Sequence, residues 1–158
     1  MAIDKAMELN PENLNFRCEK ILALIEYEKD SPDMAKMEVE QMIDSYKSQK
    51  DWVFDGEPVT DGVFVDIVQD YCSAFFRISS EKSYSAALEL SVRMNKLFPK
   101  ESVFVDNMGS YYLLAAKDYK KAVKYYKSAL KLNPSDELAR KHIGIAEKMI
   151  AAKKSRKK

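Results

Sequence analysis

The chain aligns with itself when it is shifted by 35 residues. The aligned pairs are alike in type, small with small, aromatic with aromatic and helix breaker with helix breaker: Ala74 with Gly109, Tyr84 with Tyr119, Ala87 with Ala122, Leu97 with Leu132 and Pro99 with Pro134. Gly144 follows Pro134 by the same ten residues that separate Gly109 from Pro99. A period of this length is typical of helical repeats, in which each unit buries its apolar face only by stacking on its neighbours.

Apolar residues recur at helical spacing, so each unit is predicted to be a pair of antiparallel helices. The predicted segments of a single domain, 1–158, are a partial repeat helix at 1–10, a divergent helix pair at 14–47, a long loop at 48–59, repeats at 60–99 and 102–134, a capping helix at 135–153 and a basic tail at 154–158. We expect an all-α fold, an α-solenoid with a C-terminal capping helix.

Small residues would mark the points where two helices cross closely. In the first helices of the pairs these are Ala74, Gly109 and Gly144. In the second helices they are Ala87, Ala122 and Ala129. Side-chain oxygens suitable for N-caps precede two of the predicted helices, at Thr60 or Asp61 and at Ser135 or Asp136.

The residues that usually do chemistry are scarce. One His and two Cys leave no metal-ligand cluster, and Cys18 and Cys72 read as small buried hydrophobes. His142 is predicted to be an ordinary edge histidine, since it has no partner of catalytic type in the sequence. We expect no enzyme, no cofactor, no metal and no small-molecule substrate.

Charge divides the chain into two parts. Residues 1–150 carry 21 basic and 25 acidic side chains, a balance of −4, whereas 151–158 carry five basic ones and no acid. A solvated helix end explains the tail, and a nuclear address, an anionic-surface anchor or salt-sensitive nucleic-acid binding through it are less favoured alternatives. No apolar run approaches the length of a membrane span, and we expect none.

The start and the long loop raise two further questions. The chain begins halfway through a repeat without a signal peptide, so the expectation is a cytoplasmic protein, or a periplasmic or secreted one if the sequence is a fragment. The loop 48–59 holds Trp52, which either plugs the edge of the core or contacts a partner.

Residues 107–134 carry the most specific pattern. Its marks are Gly109, Tyr112, Asp118, Tyr119, Ala122, Tyr126, Ala129, Leu130, Leu132 and Pro134. This stretch resembles a tetratricopeptide repeat, with one extra residue in the turn, which accounts for the period of 35 rather than 34.

The resemblance implies a non-catalytic scaffold that holds a protein or peptide in a concave groove lined by the first helix of each pair. By position the groove residues would be Asn15, Val68, Tyr71, Phe75, Asp106, Asn107, Ser110, Leu113 and Lys141, with Leu22, Ile25, Ile78, Val103, Leu138 and Ile145 beside them. The same face would be buried if the long loop or the strand of a dimer partner covers it. The alternative function is a self-association module, either a homodimer or a part of a longer solenoid, formed through the open N-terminal edge. Asn107 matches the asparagine of the carboxylate clamp found in chaperone-binding members, but Leu138 and His142 stand where the clamp needs basic residues, so we do not expect that ligand.

Overall fold

The computed structural model describes residues 2–27, 32–48 and 51–156. These residues form eight α-helices and one short hairpin: α1 (Ala2–Leu9), α2 (Leu14–Tyr27), α3 (Asp33–Tyr46), β1 (Val53–Phe54), β2 (Glu57–Pro58), α4 (Asp61–Ile78), α5 (Glu81–Leu97), α6 (Ser102–Leu114), α7 (Tyr119–Leu132) and α8 (Glu137–Ser155). The predicted all-α class is confirmed at this level. The chain divides into two compact units, unit 1 (Met1–Ala86) and unit 2 (Ala87–Lys158), and the boundary falls inside α5.

In unit 1, the buried face of α2 follows the helical period. Leu14, Cys18, Ile21 and Ile25 are spaced by three or four residues and are all buried. On the other side of this helix, the Lys20 ammonium lies 3.0 Å from an Asp4 oxygen on α1 and 2.6 Å from a Glu38 oxygen on α3. One lysine therefore ties three helices together.

The predicted loop 48–59 contains a two-stranded antiparallel hairpin, which the sequence pattern did not lead us to expect. Val53 pairs with Pro58 and Phe54 with Glu57. The turn between them is Asp55–Gly56, and both residues have positive φ angles, 51° and 83°. Asp-Gly suits such a turn because it tolerates this backbone region, and the turn's twist matches that of the two strands.

Trp52 is the plug that one of the two alternatives predicted. Its side chain is only 5% exposed. The ring centroid lies 6.2 Å from those of both Tyr46 and Phe64, and the rings of those two residues stack 3.8 Å apart. The segment after α3 is thus anchored to the start of α4 by aromatic packing.

Unit 2 is centred on the packing of α6, α7 and α8. A Cβ added at Gly109 on α6 would lie 2.7 Å from the Tyr126 ring of α7, so the predicted close crossing is confirmed there. Ala122 and Ala129 on α7, which were predicted to lie at close crossings, are fully buried. The same prediction for Gly144 is wrong, because no atom of the described residues lies within 4 Å of a Cβ built on it.

Two of the predicted N-caps are confirmed, at the starts of α4 and α8. Thr60 accepts a hydrogen bond from the Val63 backbone N–H, and Asp136 accepts one from that of Ala139, so both helices begin at predicted caps. Helix α5 begins at Glu81, and reciprocal hydrogen bonds join the Ser80 and Ser83 side chains to each other's backbone N–H at its start. The last helix runs to Ser155, into the predicted tail.

Candidate functional site

The predicted groove residues on α4 lie in the core of unit 1. Val68 and Phe75 are fully buried, and Tyr71 is 3% exposed. The Tyr71 hydroxyl and the Cys18 thiol of α2 interact electrostatically. Burial raises the pKa of both groups above their ordinary values. These three side chains hold α4 in place and present no open surface.

Asn15, the remaining groove residue of unit 1, is occupied by the hairpin turn. Its side-chain Nδ2 donates to an Asp55 carboxylate oxygen at 2.6 Å, and its Oδ1 accepts from the Asp55 backbone N–H at 3.0 Å. The long loop therefore covers this end of α2, as the alternative with a covered face anticipated.

In unit 2, three of the predicted residues of α6 are also buried, but they are polar. Asp106, Asn107 and Ser110 are at most 9% exposed. The Ser110 and Tyr126 hydroxyl oxygens lie 3.2 Å apart, at hydrogen-bonding distance. His142 on α8 places its Nδ1 3.6 Å from an Asp106 oxygen, and its ring centroid lies 5.0 Å from that of Tyr126.

These residues form the polar cluster, in which Asp106, Ser110 and Tyr126 are buried and His142 is half-buried. The Ser110 hydroxyl bonds to a tyrosine rather than to the imidazole, so it is not paired with a base as a nucleophile would be. Within the described residues, no group of three or more His, Cys, Asp or Glu side chains could hold a metal ion.

The last two predicted residues, Leu113 and Lys141, differ in exposure. Leu113 is partly buried against the cluster formed by Tyr119, Ala122, Tyr126 and Ala146. Lys141 is exposed. Helix α8, which carries Lys141, also has three large apolar side chains that are 41–54% exposed and lie at the spacing of one helical face: Leu138, Ile145 and Met149.

One open groove does bring predicted residues together. It lies in unit 1 between α2 and the end of α4, with a volume of about 680 Å3. Its lining is Leu22, Ile25 and Glu26 from α2, Ala74, Arg77 and Ile78 from α4, and Ser80. We name it the α2–α4 groove.

The groove is apolar within and charged at its rim. Ile25 and Ala74 are buried in its floor, Ile78 is half-buried, and Leu22 is 53% exposed. Glu26 and Arg77 are exposed and carry opposite charges on the two facing helices. Leu22, Ile25 and Ile78 are three of the positions that the repeat resemblance assigned to the ligand face, although the predicted centre of that face at Val68, Tyr71 and Phe75 is buried.

No protein-family model matches the chain, and neither a curated protein nor a solved structure matches it. Among the described residues, no helix has the length and apolar character needed to cross a membrane. The geometry of the chain itself is therefore the basis for a proposal about its function.

Proposed function

We propose that the protein is a non-catalytic binding module of the tetratricopeptide-repeat type, and that its α2–α4 groove holds a peptide segment of a partner protein. The observation that carries the proposal is the convergence of Leu22, Ile25 and Ile78 on one open, apolar groove. The 35-residue period supports the repeat architecture, and the paired helices of the structure are compatible with it.

The chemistry of the groove defines the peptide it would take. An apolar floor with a half-exposed leucine favours a ligand that buries one or two aliphatic or aromatic side chains. Burying one such side chain is worth about 1.5–3 kcal/mol. The opposite charges of Glu26 and Arg77 would orient the peptide, with a basic residue towards α2 and an acidic residue towards α4.

The experiment uses a displayed library of random short peptides as the probe. Peptides enriched on the wild-type protein are then measured against Leu22→Asp, with Met37→Asp as the matched control. Met37 lies on α3 outside the groove and is 47% exposed, close to the 53% of Leu22, so both variants place a charge at a comparable half-exposed apolar position.

We expect Leu22→Asp to weaken binding of the enriched peptides by about tenfold or more, the equivalent of one lost apolar anchor, and Met37→Asp to change it less than about twofold. Equal binding by both variants and the wild type would refute the proposal. Isotope-edited NMR should place the bound peptide beside the Ile25 and Ile78 methyl groups, and its placement elsewhere would also refute it.

Self-association remains the second candidate, favoured by the exposed apolar row Leu138, Ile145 and Met149 on α8 of unit 2. It predicts a mass that rises with concentration in light scattering and a lower mass for Ile145→Glu at the same concentration. A constant monomer mass over the whole accessible range would exclude it.

A further inference from the structure

Four lysines from two segments that are distant in sequence meet around one cleft in unit 2. The cleft has a volume of about 420 Å3 and lies between the α6–α7 turn and the last third of α8. Lys117 belongs to the turn, Lys120 to the start of α7, and Lys153 and Lys154 to α8. We name it the lysine cleft.

The positive charge of the lysine cleft is scarcely balanced by its own lining. Asp118 is the single acidic residue among the lining side chains, so four positive charges and one negative one leave a balance of +3. The Asp118 carboxylate is moreover engaged at the helix start, where its Oδ1 accepts the Lys121 backbone N–H at 3.1 Å. Like charges gathered at one site repel each other, and a bound anion would relieve that repulsion.

Two of the lysines are held by local structure. The Lys153 ammonium lies 4.6 Å from the Tyr119 ring centroid and donates to the Lys117 backbone carbonyl at 3.2 Å. Lys117 itself has a φ of 51°, a left-handed conformation that sets the direction of the turn. The cleft is thus partly organised before a ligand binds, which lowers the entropic cost of binding.

We propose that the lysine cleft binds a compact oligophosphate, a group with two or more phosphates carried either by a soluble molecule or by a phosphoinositide headgroup. The volume admits such a group, Ile150 and Tyr119 offer apolar contact to its carrier, and several lysine ammonium groups match its multiple negative charges. This site lies in unit 2 and is independent of the peptide groove proposed in unit 1.

The test uses inorganic tripolyphosphate as the probe, measured by calorimetry at constant ionic strength. The cleft variant is Lys120→Gln with Lys154→Gln. The control is Lys127→Gln with Lys131→Gln, which removes the same charge from exposed positions of α7 outside the lining. Neither pair includes Lys153, because its contacts hold the cleft together.

We expect the cleft variant to lose at least tenfold in affinity, the control less than about twofold, and the amide signals of residues 117–120 to shift on titration. A second arm compares phosphatidylcholine vesicles with and without a bisphosphorylated phosphoinositide: selective vesicle binding assigns the headgroup as the source, and its absence beside tripolyphosphate binding assigns the soluble one. Equal losses in both variants, no binding of tripolyphosphate, or tighter binding of a single-stranded oligonucleotide than of tripolyphosphate would each overturn the proposal.

Discussion

Replacing Gly109 with Ala tests the tightest helix crossing of unit 2. The new Cβ would lie 2.7, 2.8 and 3.1 Å from three atoms of the Tyr126 ring, well inside ordinary contact distance. Tyr126 is fully buried, so its ring cannot avoid the new methyl group by moving out into solvent. Either the two helices separate or the ring turns away and its hydroxyl leaves Ser110.

The magnitude follows from opposing effects. Overpacking a closely packed core costs about 1–3 kcal/mol, and losing the hydrogen bond between Ser110 and Tyr126 costs about 1 kcal/mol more. The higher helix propensity of Ala over Gly offsets about 1 kcal/mol of this loss in stability. We expect a net loss of about 1–3 kcal/mol in the free energy of unfolding.

Gly144→Ala is the matched control, since Gly144 is also helical but a Cβ there meets no atom of the described residues within 4 Å. That variant should gain about 0.5–1 kcal/mol from helix propensity alone. Urea unfolding followed by far-ultraviolet circular dichroism measures both, and the two variants should move the midpoint in opposite directions. A Gly109→Ala protein as stable as the wild type would show that α6 and α7 do not cross as described.

Three further results are expected. Asp118→Ala should destabilise the protein by about 1 kcal/mol in the same urea assay, because α7 loses its N-cap; an unchanged midpoint would contradict that role. Burial raises the pKa of the Tyr71 and Tyr126 hydroxyls in the folded state, so the unfolded chain, whose tyrosines have a pKa of about 10, releases these protons first. Stability is therefore fully present below about pH 10 and falls above it, by up to about 1.4 kcal/mol per pH unit for each tyrosine; equal urea midpoints at about pH 8 and pH 11 would contradict this. The buried thiols of Cys18 and Cys72 should react with a disulfide reagent only after urea is added, and full labelling of the native protein would show that the two helices open readily.

The repeat predicts the helices well because its recurring residues are ones that pack against each other in pairs. Gly109 and Tyr126 meet at one crossing, and both are among the residues on which the resemblance to a tetratricopeptide repeat rests, so the sequence pattern carried structural information here. Gly144 has the same repeat position as Gly109 but no packing partner. A close crossing needs a side chain that faces the glycine, and no atom of the described chain faces Gly144 closely. A repeat position thus predicts where a second helix could pack closely, but not whether one does.

The hairpin was missed although its signal was present. Asp55-Gly56 is a strong two-residue turn pattern, but the two flanking strands are too short to show an alternating apolar pattern. The helical patterns on either side are stronger than this signal, so the sequence predicts a long loop at 48–59.

Of the residues that the sequence assigns to the ligand face, the structure places Leu22, Ile25 and Ile78 along the α2–α4 groove. Repeat position assigns a residue to a helix face but does not say what covers that face, so Tyr71 and Phe75 were expected in a groove and lie in the core. Leu22 and Ile78 line an open groove because they lie towards the ends of their helices, away from the hairpin turn that covers Asn15. The sequence shows half of the lysine cleft, since Lys153 and Lys154 belong to the basic C-terminal stretch, but it does not show that Lys117 and Lys120, more than 30 positions away, meet them.

Trp52 gives the protein a built-in optical reporter for one of its two units. It is the only tryptophan of the chain, and its buried ring lies among aromatic side chains of unit 1. Tryptophan emission during unfolding therefore follows the loss of structure around the hairpin, whereas circular dichroism follows all of the helices. Coincident transitions would mean that the two units unfold cooperatively, and separated ones would yield the stability of each unit from a single sample without any added dye.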